Sequence, residues 1–187
     1  GLAGFLAAKA AGEAGADVIL ADEQPGLGGA LQWSADVTVD GKSGVDFADD
    51  VAAALAAMKN VRVLTRTTAF GYYAQNMVAL AERVTDHMSN PAVDLPRERL
   101  WQVRAKQVIL ATGAIERHTV FDQNDRPGVM LASAGRTFLN QYGVAIGQRV
   151  GVYTANDSAY AAAFDLKQSG IDVPAIVDLR KSVDDKL

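Results

Sequence analysis

The sequence predicts an α/β fold in which helices alternate with parallel strands, an antiparallel meander interrupts the series, and a second helix–strand series begins before the end. Three observations carry this reading. The opening 29 residues, GLAGFLAAKAAGEAGADVILADEQPGLGG, run as glycine turn, alanine-rich helix, short apolar strand, acidic end and glycine pair. After Thr65 the helical period gives way to three short strand-like runs separated by turns. From Arg149 the strand–helix–strand pattern returns.

The opening stretch is the most informative. Gly1-Leu2-Ala3-Gly4 has the spacing of the last two glycines of a G-x-G-x-x-G turn. Leu2 to Ala14 reads as a small-residue helix stopped by Gly15, a natural left-handed cap. Asp17 to Ala21 reads as a buried strand with Asp22-Glu23 at its carboxyl end, roughly 20 residues past the glycines, where dinucleotide-binding units place a ribose-binding carboxylate. The chemistry explains the pattern. A helix N-terminus offers free N–H groups and a positive dipole end to a pyrophosphate. Glycine lets the phosphate approach the backbone. A carboxylate accepts two ribose hydroxyls and repels a 2′-phosphate, which favours NAD over NADP. A complete unit starts with a strand of about five residues ending at the first glycine. The sequence here opens at the second, so we expect a first strand to be missing, a trench in the parallel sheet, and a longer parent protein.

Composition narrows the function classes. The chain has 187 residues, 49% apolar and 21% charged, the values of a globular domain or a domain and a half. The formal charge of -4, without a basic block, argues against nucleic acid or an anionic membrane as partner. Lys9, Glu13 and Asp17 interrupt the apolar stretches, so no membrane-spanning helix is expected. No cysteine is present, which removes thiolate zinc sites, disulfides and C-x-x-C redox chemistry. With no secretory pattern at the N-terminus, the expected compartment is the cytoplasm.

Further along, Pro25 to Gly29 reads as a loop whose Gly28-Gly29 pair permits close backbone approach, and Trp33 as a lid over a core edge. Gly44 to Met58 reads as an amphipathic helix with Val45, Phe47, Val51, Leu55 and Met58 inward, its early aspartates complementing the helix dipole. Val61 to Thr65 is a parallel strand. Thr68 to Tyr73, Met77 to Val84 and Leu100 to Ala105 form the meander. Gln107 to Ala111 is the last parallel strand, ending in Thr112-Gly113-Ala114 beneath a cofactor. Next come a helix over Ser133 to Tyr142, a strand over Arg149 to Tyr153, a helix over Asp157 to Gln168 and a strand over Val173 to Leu179. In this second unit Thr154 and Asn156 stand where glycines would be, so it reads as a structural copy that binds no nucleotide or binds it weakly. The fold class is thus α/β: a Rossmann-like FAD/NAD(P)-binding domain with an antiparallel β-meander insertion (1–116), its first strand missing, followed by a linker and a partial second Rossmann-like unit (117–187).

Three runs carry a more specific resemblance: Arg66-Thr67-Thr68-Ala69-Phe70-Gly71-Tyr72-Tyr73; Arg97-Glu98-Arg99-Leu100-Trp101; and Ala111 through Arg117 continuing to Asn124-Asp125-Arg126-Pro127-Gly128-Val129-Met130-Leu131-Ala132-Ser133-Ala134. With Asn156-Asp157-Ser158-Ala159-Tyr160, they resemble the α subunits of heterotetrameric sarcosine oxidases, within the glutathione-reductase-like flavoproteins with two dinucleotide domains. The resemblance implies oxidative demethylation of sarcosine to glycine, with hydrogen peroxide as product and tetrahydrofolate accepting the one-carbon unit. It implies NAD in the domain matched here, FAD and FMN elsewhere in a hetero-oligomeric complex, and other subunits as partners. On that mapping Gly1, Ala3 and Gly4 meet the pyrophosphate, and Asp22 and Glu23 the adenosine ribose. Gln24, Gly29 and Ala30 line the groove, the Ala69 backbone touches adenine, and Thr112 and Gly113 lie near the other half of the cofactor. The folate region of the family is absent from this sequence.

No catalytic or metal constellation is visible. His87 and His118 stand far apart without a carboxylate partner, and Arg117 and Arg126 bracket a loop. Turnover is therefore expected to reside in other domains or subunits. Two further readings stay open: an FAD-binding subunit of a secondary-amine, opine or proline dehydrogenase or a flavin-dependent reductase, and a non-binding scaffold.

Overall fold

The computed structural model describes residues 1–181, so residues 182–187 of the expected second unit lie outside the described residues. The chain is α/β with several small sheets and divides into two compact units. Unit 1 comprises Gly1–Leu31 and Val39–Gly113; unit 2 comprises Gln32–Thr38 and the residues from Ala114 onward.

In unit 1, helix α1 (Leu2–Glu13) leads into β1 (Val18–Ala21), with Gly15 at φ +85° turning the chain between them. The small residues of α1 let it lie close to its neighbours. A Cβ added at Gly12 would stand 2.6 Å from Val61 Cγ2, and the Asn60 amide donates to the Gly12 and Ala16 carbonyls at 2.9 and 2.8 Å, tying off the end of the helix. A tight hairpin, β2 (Thr38–Val39) and β3 (Lys42–Ser43), turns on Asp40-Gly41, both at positive φ.

Helix α2 (Gly44–Ala57) starts at Ser43, whose hydroxyl accepts from the Asp46 amide at 3.1 Å. Its buried stripe is Gly44, Ala48, Val51 and Leu55. Val51 and Leu55 are buried as expected, whereas Val45, expected inward, is 40% exposed; at the start of the helix it is Gly44 that packs closely, on Leu31. Phe47 packs near Phe5, which is 1% exposed, with ring centroids 6.3 Å apart.

Strand β4 (Val61–Leu64) pairs parallel with β1 from Val18↔Val61 to Ala21↔Leu64. The meander forms as expected: β5 (Thr67–Tyr73), β6 (Met77–Arg83) and β7 (Glu98–Arg104), antiparallel in the order β5-β6-β7, with a bulge between Ala69 and Gly71. Glu82 holds the sheet laterally, accepting from Trp101 Nε1 at 2.7 Å and Arg99 Nη1 at 2.9 Å. Residues 107–111 differ from expectation. They have strand composition but join no ladder among the described residues. Ile109 and Leu110 are accordingly 67% and 70% exposed.

In unit 2, helix α3 (Ala132–Arg136) continues into a wider π turn over Thr137–Gln141 where one α-helix was expected. The side chains explain the widening. Thr137 bonds back to the Ser133 carbonyl at 2.8 Å, and the Asn140 amide is committed to the Trp33 carbonyl and to Asp165. Strand β8 (Val152–Thr154), helix α4 (Ser158–Gln168) and strand β9 (Ile176–Asp178) make a parallel βαβ unit. Strand β9 is shorter than expected because Pro174 has no N–H to give.

Unit 2 is built around a buried ion pair. Arg136, 8% exposed, donates from Nε to Asp165 at 2.6 Å and from Nη2 to Asp36 at 2.6 Å, and its guanidinium lies 5.3 Å from the Trp33 ring centroid. Asp165 is 7% exposed whereas the Asp36 side chain is 56% exposed. Removing the buried partner strands a charge, so Asp165→Ala should lower the unfolding free energy by about 3–5 kcal/mol. Asp36→Ala should cost at most about 1 kcal/mol. Urea titration of the two variants checks the ranking.

The hydrogen bond from Arg136 also holds the Asp36 carboxyl below the ordinary carboxylate pKa, against the opposing effect of burial. A depressed folded pKa means that this contribution is complete above the unfolded value, about 4, and is lost as pH falls through the lower folded value. Urea midpoints should therefore drop on acidification below about pH 4, and Asp36→Asn should remove part of that drop.

Candidate functional site

The acidic end of β1 is fixed by backbone before any side chain acts. Asp22 N donates to the Leu64 carbonyl at 2.9 Å, Thr67 N to the Asp22 carbonyl at 2.9 Å, and Arg66 N to the Gln24 carbonyl at 2.9 Å. The Asp22 carboxylate accepts from the Gln24 amide at 3.0 Å, closing an Asx turn, and its other oxygen lies 3.6 Å from the Gly1 nitrogen. Glu23 and Gln24 are exposed beside it.

The glycines stand where backbones meet. Gly29 has φ +56°, and a Cβ there would lie 2.8 Å from Gly1 Cα. A Cβ on Gly4 would lie 3.2 Å from that of Ala111, so the start of α1 abuts the segment leading to Thr112 and Gly113. Helix α1 has Gly1 as N-cap and no side-chain cap, leaving its first-turn amides without a side-chain acceptor. Ala3 and Ala30 are exposed, as are Thr112 and Gly113, the latter at φ +71°. Ala69 lies on β5 at the bulge, two residues beyond the Thr67 amide that binds the Asp22 carbonyl.

Gly1, Gly29, Asp22 and Gln24 are thus brought together at one end of α1 and β1, and Gly4 reaches Ala111. Arg66 and Thr67, which are not among the expected cofactor residues, hold this end in place. Arg66 turns through φ +51°, and Thr67 is 1% exposed with its hydroxyl on the Thr65 carbonyl at 2.9 Å. Their contribution is made by backbone amides, for which residue type gives no signal. Of the predicted cofactor residues, Gly4, Asp22 and Gly29 are half-buried and Ala3, Glu23, Gln24, Ala30, Thr112 and Gly113 exposed. The concavities of about 500 Å³ beside residues 85–97 and about 530 Å³ along α4 include none of them. Among the described residues no group of three or more His, Cys, Asp or Glu side chains could hold a metal ion, and no helix is long and apolar enough to cross a membrane.

This geometry, uncapped helix start, close glycine approach and strand-end carboxylate, occurs within a fold shared with an oxidoreductase. The chain superposes on the crystal structure of L-proline dehydrogenase from P. horikoshii with a TM-score of 0.73 and 26% identity, over 95% of this chain and 33% of that one. No family model matches the chain. In sequence it is 52% identical over 180 residues to sarcosine oxidase subunit alpha of Rhizobium meliloti (strain 1021), covering 96% of this chain and 18% of that protein. It is 44% identical over 184 residues to sarcosine oxidase subunit alpha of Corynebacterium sp. (strain U-96), covering 98% of this chain and 19% of that protein. The resemblance drawn from the residues therefore holds: along nearly its whole length the chain matches a segment of sarcosine oxidase α subunits. It spans about a fifth of the length of these relatives.

Two glycines at positive φ separate backbone strain from crowding. Gly15→Ala meets open space and should cost about 1–2 kcal/mol from the left-handed conformation alone. Gly29→Ala adds the clash with Gly1 and should cost more than Gly15→Ala, a difference readable in denaturant midpoints.

Proposed function

We propose that this chain is the NAD-binding portion of the α subunit of a sarcosine-oxidase-type complex, an oxidoreductase acting on CH–NH donors with oxygen as acceptor. The observation that carries the reading is the coincidence at one end of unit 1 of an uncapped helix N-terminus with a strand-end carboxylate pinned by backbone. Unit 1 is then a Rossmann-like dinucleotide domain with a meander insertion. The α1 amides at Ala3 and Gly4 take the pyrophosphate, with Gly1 and Gly29 keeping the approach free of side chains. Asp22, assisted by Glu23, accepts the adenosine ribose hydroxyls, and Gln24 and Ala30 border the groove. The backbone at Ala69 meets adenine, while Thr112 and Gly113 lie toward the nicotinamide half.

The substrate chemistry falls to other parts of the complex. It comprises sarcosine demethylation, peroxide formation and one-carbon transfer to tetrahydrofolate, with FAD and FMN held outside this segment and partner subunits completing the assembly. NAD is bound here without turnover by this segment alone. The names of the relatives, sarcosine oxidase subunit alpha, support the reading for the whole protein. The similarity to L-proline dehydrogenase favours a second reading, FAD in the same groove of a secondary-amine dehydrogenase.

The test uses the whole subunit. Asp22→Asn should weaken NAD retention about 10- to 100-fold, the loss of roughly 1.4–2.8 kcal/mol of charged hydrogen bonding, while binding of NADP falls less. Equilibrium dialysis against each dinucleotide measures both. Equal affinity for NAD in the parent and the variant would remove Asp22 from the site.

A further inference from the structure

Unit 2 repeats the helix-start and strand-end spacing of unit 1, and the differences lie in its own side chains. Asp22 follows the first residue of α1 by 20 residues, and Asp178 follows the first residue of α4 by 20. Each aspartate closes the same turn, Asp22 Oδ1 accepting from Gln24 N at 3.0 Å and Asp178 Oδ1 from Arg180 N at 2.9 Å. Beyond this turn the two units diverge. Gln24 is exposed, whereas the Arg180 side chain folds back over the strand end, with Nη2 2.7 Å from Asp178 Oδ2 and Nε 3.0 Å from Asp178 Oδ1. Its Nη1 reaches the Asp157 carboxylate at the start of α4, at 2.6 Å. The Tyr160 hydroxyl donates to Asp178 Oδ2 at 3.0 Å.

The helix start is occupied as well. Asn156 Oδ1 accepts from the Ser158 amide at 3.0 Å and from the Ser158 hydroxyl at 2.6 Å, while Thr154 Oγ1 clamps both backbone groups of Asn156. In a nucleotide-binding βαβ unit, phosphate meets the helix amides and ribose meets the strand-end carboxylate. Here a side-chain amide and the Asp157 carboxylate stand at the first place and a guanidinium at the second.

We propose that Arg180 is an internal plug of the second βαβ unit: bridging Asp178 and Asp157, and backed by the Asn156 cap, it occupies the nucleotide crevice with the protein's own charges. The unit thereby keeps the topology of a nucleotide domain and excludes nucleotides, which limits this segment to one dinucleotide position. The charge logic requires the exclusion. A phosphate entering at α4 would meet the Asp157 carboxylate, and a ribose would have to displace a guanidinium with two carboxylate partners. The hydrogen bonds from Arg180 hold the Asp178 carboxyl far below the ordinary range, in keeping with a carboxylate already fully engaged.

The experiment counts ADP bound per whole subunit by equilibrium dialysis at millimolar ADP. It is run on the parent, Arg180→Ala and Asn156→Gly/Arg180→Ala, each also in an Asp22→Asn background so that occupancy of unit 1 does not enter the difference. The plug predicts one additional ADP per subunit in the double variant, at least tenfold tighter than any unit 2 binding in the parent, with Arg180→Ala intermediate. A folded double variant that gains no ADP overturns the proposal, as does a parent whose ADP binding is lost in Arg180→Ala, which would make Arg180 a ligand. Should the variants fail to fold, crystals of the parent soaked in ADP decide. Arg180 still seated on Asp157 and Asp178 supports the plug; ADP phosphates on Arg180 refute it.

Discussion

The exchange of backbone hydrogen bonds at the carboxyl end of β1 is the constraint on which unit 1 depends. Asp22 gives its amide to Leu64 and receives that of Thr67, and Gln24 receives that of Arg66. These bonds join the parallel β1–β4 pair to the first strand of the meander, and the Asx turn to Gln24 fixes the Asp22 carboxylate beside the start of α1. A carboxylate held by two strands loses little further freedom on binding, which is the physical content of preorganisation. The glycine contacts follow from the same placement, because a helix that begins beside a strand end has no room for a Cβ at Gly29.

The two units illustrate how one topology serves different ends. Both set a helix N-terminus beside an aspartate at a strand end. In unit 1 the Asp22 carboxylate accepts from the Gln24 amide, whereas in unit 2 Asn156 accepts from the Ser158 amide and Arg180 neutralises the aspartate. Satisfied polar groups favour stability, and unsatisfied ones at a surface favour a ligand that satisfies them. The same economy appears around Arg136, where a buried guanidinium is matched by Asp165, Asp36 and the face of Trp33.

Much of this was legible in the sequence, for identifiable reasons. Helix α2 emerges from its amphipathic pattern, α1 from its alanine-rich run and glycine stop, and the meander strands from the change of period, with ends shifted by one or two residues. Gly15 and Gly170 stand at positive φ as helix stops. Residues 107–111 have the composition of a strand but pair with none among the described residues, because composition reports a preference for burial and not the presence of a neighbour. The Asp40-Gly41 pair, both at positive φ, is a hairpin signal of the Asp-Gly type. At the candidate site, the carboxylate and the glycines have residue-type signatures. The Arg66–Thr67 clamp has none, and the contact of Arg136 with residues 29 and 100 positions away depends on tertiary packing alone.

The central claim concerns what unit 1 holds, and the most direct measurement is to denature the purified whole α subunit and identify the released dinucleotide by mass spectrometry. The account predicts NAD, in a ratio no greater than one per subunit. Release of FAD from the isolated subunit would contradict it and support the dehydrogenase reading, and the absence of any dinucleotide, together with no binding of added NAD, would make unit 1 a scaffold.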